Sequence, residues 1–238
     1  MDEHTYGAGA PPPVPPPPSR DSGAAEPLNP WFAIWVQPRA TMRQILDSDP
    51  RRLVHTLAAL GGAVKGFQFT VPPALADAAE PGAILGIKMA IAIVGAILSL
   101  AMLYLYGFLM RATGGWLAGR GDFTAVRSAI AWANVPTIWS ALLLVPLVAF
   151  RGIAGLNFDP GTMMQEPGAA ILLVPLVTLT VLITGWQIVV FLKCLGEAHA
   201  FSAWRALGAA FFAALILGAA VVIPIALVAF LVVGPLVS

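Results

Sequence analysis

A chain of 238 residues that is 58 % hydrophobic and only 11 % charged, with a mean hydropathy of +0.83, is not an ordinary water-soluble domain, because such domains carry about 25 % charged residues. The excess apolar surface must meet lipid, and the net charge of +1 matters less than where the charges stand. A single cysteine, Cys194, excludes an intrachain disulfide.

Residues 1–28 are rich in Gly, Pro and Ala and lack periodic apolar residues. The opening MDEHTYGAGA has neither the basic n-region nor the apolar h-region of a signal peptide. Pro11 to Pro18 favours polyproline II, since each ring fixes φ and removes a donor. The segment reads as a disordered tail or as a ligand for an aromatic groove.

Segment 29–50 brings Trp31 and Trp35 just before Arg39 and Arg43. Indole rings prefer the headgroup level, and Pro38 suits the first turn of a short helix. Met42, Ile45 and Leu46 fall on one side of that helix and the arginines on another. Two readings stay open and are compatible with each other: a helix lying on the membrane surface, and a cap packed onto the bundle.

Five apolar runs follow, at about 53–75, 84–110, 128–150, 168–192 and 206–235. Each has close to, or more than, the ~20 residues that cross ~30 Å of hydrocarbon. Backbone in lipid must satisfy its own polar groups, so the runs are read as helices. The fold class is therefore all-α: a polytopic bundle of five transmembrane helices with a short N-terminal interfacial helix. Ten of the thirteen Lys and Arg residues fall on one side of these five crossings. The positive-inside rule then predicts a cytoplasmic N-terminus and an outer C-terminus in the inner (cell) membrane. The connection after the second run carries Arg111, Arg120 and Arg127 among Gly114, Gly115, Gly119 and Gly121. It is the cytoplasmic loop expected to meet a partner.

Small residues recur four apart at Gly62/Gly66, Gly95/Ser99 and Ala210/Ala214/Gly218, and serve either contact within the bundle or a homo-oligomer. Pro136, Pro146, Pro175 and Pro224 lie inside runs, with kinks expected above all at Pro136 and Pro224. Thr180, Thr184 and Gln187 share one helical face. With Asn134 they form a candidate polar seam, either a substrate path or interhelical hydrogen bonds. Lys88 is expected to snorkel to the interface. Lys65 reaches either the outer headgroups or a polar gap beside Asn134 or Gln187.

The chain has no H-E-x-x-H, G-x-S-x-G or P-loop pattern. His4, His55 and His199 lie far apart without ligand spacing. No catalytic residue, metal or cofactor is expected, and no nucleic acid. Glu197 and His199 are read as a cap or headgroup contact, and Cys194 as an apolar filler.

Two segments, GWLAGRGDFTAVRSAIAWANVPTIW from Gly115 and GWQIVVFLKCLGEAHAFSAWRALGAAFF from Gly185, together resemble the YIP-domain family. The stretch NPWFAIWVQPRATMRQIL is similar to the segment before the first helix in its prokaryotic members. The resemblance implies five spans and a cytoplasmic N-terminus. In eukaryotic members, named for contacts with Ypt/Rab GTPases, it implies trafficking roles through protein contacts rather than catalysis. The chain lacks the Asp-Leu-x-Gly-Pro motif of that branch and resembles a prokaryotic member, so no Rab GTPase is expected.

The expectation is thus a non-enzymatic membrane protein that binds partner proteins or lipids and helps organise the membrane. Its candidate contacts are Trp31, Trp35, Arg39, Arg43, Gly114, Gly115, Arg120 and Arg127. The alternative is a small channel or transporter whose polar seam comprises Lys65, Asn134, Pro136, Thr180, Thr184 and Gln187.

Overall fold

Asn29 and two prolines set the first turns of the chain. The Trp31 N–H donates to Asn29 Oδ1 at 3.1 Å and Pro30 takes the first helical position, opening α1 (Pro30–Val36). Pro38 forces Gln37 out of the helical region (φ −130°, ψ 55°) and starts α2 (Pro38–Ser48) in a new direction. The structure is a computed structural model that describes residues 27–76, 79–151 and 169–237. The proline-rich tail, Asp77, and the connection that carries Asp159 and Glu166 lie outside the described residues.

α2 buries Thr41, Met42 and Ile45. Met42 and Ile45 join a core shared with Val190, Cys194 and Ala198. The segment packs as a cap onto the bundle and leaves Phe32 and Val36 on α1 and Arg39 and Arg43 on α2 among its exposed residues.

The first apolar run is helical only over α3 (Val54–Gln68), 15 residues rather than the expected 53–75. At 1.5 Å per residue it is about 22 Å long. Its end has a local cause. Phe69 is extended, and Pro72 and Pro73 follow, which cannot continue the ladder. A single turn, α4 (Pro73–Ala76), leads to α5 (Pro81–Trp116), a 36-residue helix that returns antiparallel along α3. The two backbones nearly touch: a β-carbon on Gly62 would collide with Ser99 and with the Gly95 carbonyl, and one on Gly66 with the Ile91 carbonyl. Ser99 Oγ donates to the Ala58 carbonyl at 2.7 Å. These small residues thus serve contact within the chain.

The third run does not form one helix. Pro136 has no N–H, and its ring would strike the carbonyl four residues back, at Trp132. Accordingly α6 (Phe123–Trp132) stops there and α7 (Val135–Ser140) starts with Pro136 in its first turn. A 3₁₀ turn at Ala141–Leu143 and α8 (Leu144–Arg151) complete the run. At the break the Asn134 N–H bonds the Ala131 carbonyl, and Asn134 Nδ2 donates to the Ile130 carbonyl at 3.2 Å. The last two runs give α9 (Ala169–Ala198) and α10 (Ala203–Val237). α10 runs through Pro224 as a continuous helix, as α9 does through Pro175.

Among the described residues, four segments are long and apolar enough to cross a membrane: Gly82–Trp116, Phe123–Ala149, Val174–Ala198 and Ala203–Ala226. The chain is an all-helical polytopic membrane protein. Its core gathers towards the end where α5 meets α6 and α9 meets α10. Further along, Ile171, Val174, Val181, Val221 and Ile223 are exposed, which is stable only against lipid.

Candidate functional site

At the basic end two turns face each other. In the turn after α5, the Gly119 N–H bonds the Gly114 carbonyl at 2.9 Å and the Ala118 N–H bonds the Gly115 carbonyl at 3.1 Å. In the turn after α9, the Phe201 N–H bonds the Gly196 carbonyl at 2.8 Å and the Ala200 N–H bonds the Glu197 carbonyl at 3.0 Å. Both are Schellman motifs, with Ala118 (φ 62°) and Ala200 (φ 57°) in the left-handed position. His199 fills the space between them. Its ring stacks on Phe201 at 5.0 Å and 3°, its Nδ1 accepts from the Gly121 N–H at 3.2 Å, and its carbonyl accepts from the Arg120 N–H at 3.0 Å. His199 is 1 % exposed, and among the described residues its Nε2 has no hydrogen-bond partner of good geometry. Burial pushes the His199 pKa below the ordinary imidazole value, with the Met110 carbonyl opposing.

The arginines of α2 are tied to the same turn. Arg43 meets the Glu197 carboxylate at 2.8 Å, and Arg39 lies 4.0 Å from it and donates to the Phe201 carbonyl at 3.1 Å. Both were expected at lipid headgroups. The structure pairs them with Glu197 because α2 docks beside the end of α9. Trp31 packs edge-on to Trp132 at 6.2 Å, and the Trp35 carbonyl accepts from Trp186 Nε1 at 3.0 Å. Arg127 is sandwiched against Tyr104 (4.8 Å) and Phe123 (4.5 Å). Gly114 is buried against His199. Of the eight candidate contacts, Arg39, Arg43, Gly115 and Arg120 are exposed, and the arginines of α2 are the ones paired with a carboxylate. Gly115 and Arg120 have no such pairing among the described residues. They line a groove of about 390 Å³ with Arg111, Phe108 and Trp116.

The proposed seam divides. Lys65 Nζ donates to Asn134 Oδ1 at 3.3 Å. Both side chains line a cavity of about 360 Å³ together with Gln187, Ser99 and Tyr106. Lys65 therefore faces Asn134, the second of the two directions open to it. Thr180 and Thr184 lie elsewhere, exposed and bonded to the carbonyls of Leu176 and Thr180 on their own helix. Pro136 shapes the break and is buried. Lys88 does not snorkel. It is fully buried and donates to the carbonyls of Phe67 (3.0 Å) and Phe69 (2.8 Å), closing the C-terminus of α3.

Sequence reasoning missed the roles of Glu197, His199 and Phe201 as the seat for two other elements, and the Gln68–Ser140 hydrogen bond of 3.1 Å. The spacing of Glu197 and His199 was visible, but nothing in it announced that glycines far away in sequence would wrap the ring.

No curated protein and no solved structure shows similarity to the chain. Residues 32–233 match the Yip1 domain, and the chain belongs to that family of multi-span membrane proteins.

Proposed function

We propose that this Yip1-domain protein works without catalysis, by engaging anionic lipid headgroups and a protein partner at its basic end. The observation that carries this reading is the groove flanked by Arg111 and Arg120 with Phe108 and Trp116. Both guanidiniums are exposed and have no carboxylate partner among the described residues. Arg51, Arg52 and Arg205 add exposed positive charge at the same end. Cations beside aromatic rings suit a headgroup boundary, where each basic residue contributes about 1 kcal/mol towards anionic lipid.

The charge bias supports placing this end in the cytoplasm of a prokaryotic inner membrane, with α3 as the first of five crossings. The test is affinity purification from the native host in lipid discs, with co-purifying lipids and proteins identified. Arg111→Ala combined with Arg120→Ala should lose enriched anionic lipid and a stoichiometric partner. An unchanged set of companions would refute the reading.

A channel or transporter is the second reading. It is favoured by the cavity at Lys65, Asn134 and Gln187. Thiol-reagent access at Gln187→Cys in a Cys194→Ala background tests it, and complete protection argues against an aqueous path.

A further inference from the structure

The cavity between α3, α5, α6 and α9 has two unlike ends. Lys65, Asn134 and Gln187 stand at one, and Met110, Ile130 and Phe191 at the other. On α5 its wall runs from Ser99 to Met110, about 16 Å at 1.5 Å per residue. Its volume of about 360 Å³ falls within the range of small-molecule sites, roughly 300–1,000 Å³.

The polar end is short of acceptors. The Lys65 ammonium has three donors, and its described partner is the neutral Asn134 amide. It has no carboxylate within ion-pair distance among the described residues. Asn134 is already committed, with Nδ2 on the Ile130 carbonyl. The Gln187 amide and the Tyr106 hydroxyl line the same space and have no hydrogen-bond partner among the described residues. A cation without a carboxylate and the unpaired Gln187 amide thus line one cavity, at the level where α6 breaks inside the third apolar run. A lone charge among apolar helices is costly unless it meets an anion or water.

We infer that this cavity binds an organic monoanion: a carboxylate held by Lys65 and Gln187, carried on an apolar body that lies along Leu103 and Phe191. One ammonium balances one negative charge. A phosphate dianion would bring a second charge with no cation to meet it in a low dielectric. A neutral chain would leave the ammonium as it is. The apolar stretch of wall accommodates a single unbranched chain, and the Gly62–Gly95 approach of α3 and α5 seats Lys65 next to Asn134. This site is separate from the Arg111–Arg120 groove, so the two readings fail independently.

The experiment uses the full chain in discs of zwitterionic lipid, with a diazirine analogue of decanoate as photolabel and mass-spectrometric mapping of the labelled peptides. Saturable labelling within residues 102–110 or at Phe191 is expected, displaced by decanoate and at least tenfold less well by decanol or decyl phosphate. Lys65→Met should weaken displacement by decanoate at least tenfold, and Lys65→Arg should retain it. Gln187→Leu should weaken it severalfold. Because Gln187 is half-buried and its side chain makes no hydrogen bond among the described residues, that variant carries the test if Lys65→Met fails to fold. Equal displacement by decanol, better displacement by decyl phosphate, or unchanged affinity in the tested variants would overturn the assignment.

Discussion

The His199 ring lies so close to the Gly114 backbone that a β-carbon on Gly114 would stand 2.5 Å from both Cε1 and Nε2. Gly119 and Gly121 approach Nδ1 in the same way, at 2.5 and 2.9 Å for their hypothetical β-carbons. Gly115, one residue on, meets nothing within 4 Å. Gly114→Ala should therefore destabilise the protein by about 1–3 kcal/mol through overpacking. Gly115→Ala, in the last turn of α5, should be neutral or stabilise by up to about 1 kcal/mol. Thermal unfolding of the two purified variants side by side checks this. Equal losses would mean that the ring does not set the requirement.

The glycines of this turn are not where the backbone takes its left-handed conformation. Ala118 and Ala200 hold those positions, at a cost of about 1–2 kcal/mol each relative to an ordinary helical geometry. Ala118→Gly and Ala200→Gly should each raise stability by about 1 kcal/mol, since glycine adopts φ > 0 without strain. The two turns meet around His199, so the double variant should depart from the sum of the two. A lowered melting temperature in either variant would contradict the geometry.

Burial of His199 links stability to pH. Its folded pKa is lowered, so the fold favours the neutral ring and the unfolded chain takes up the proton first. Stability is full above the ordinary histidine value of about 6.5 and falls as pH drops from there through the folded pKa. The melting temperature of the wild type should decline between about pH 7 and 5, and this part of the decline should vanish in His199→Gln. A parallel decline in both proteins would place the titration elsewhere.

Lys88 provides a fourth test. Its ammonium is buried and holds two carbonyls at the end of α3. Lys88→Met keeps the apolar stem but leaves both acceptors without it, at a cost of about 1–3 kcal/mol. Hydrogen exchange should show earlier opening at Gln68 and Phe69, while exchange at Leu57 stays closer to the wild type. Uniform loss along α3 would argue that Lys88 supports packing instead.

The sequence by itself determined the architecture. Long uncharged runs such as Ala206–Val237 must be helical in lipid whatever their β-propensity, and Pro30, Pro38 and Pro136 set local breaks by removing N–H groups. These are consequences of composition and of neighbours along the chain. The tertiary structure alone decided how polar side chains were used. Lys65 had two available directions, and only the approach of α3 to the Asn134 break chose one. Arg39 and Arg43 looked free until α2 docked beside Glu197. The glycines at 114, 119 and 121 looked like a flexible loop until His199, some eighty residues away, was seen to need the absence of their β-carbons. A charge or a glycine in a sequence states a capacity. Which partner meets it depends on contacts that close only when distant helices pack.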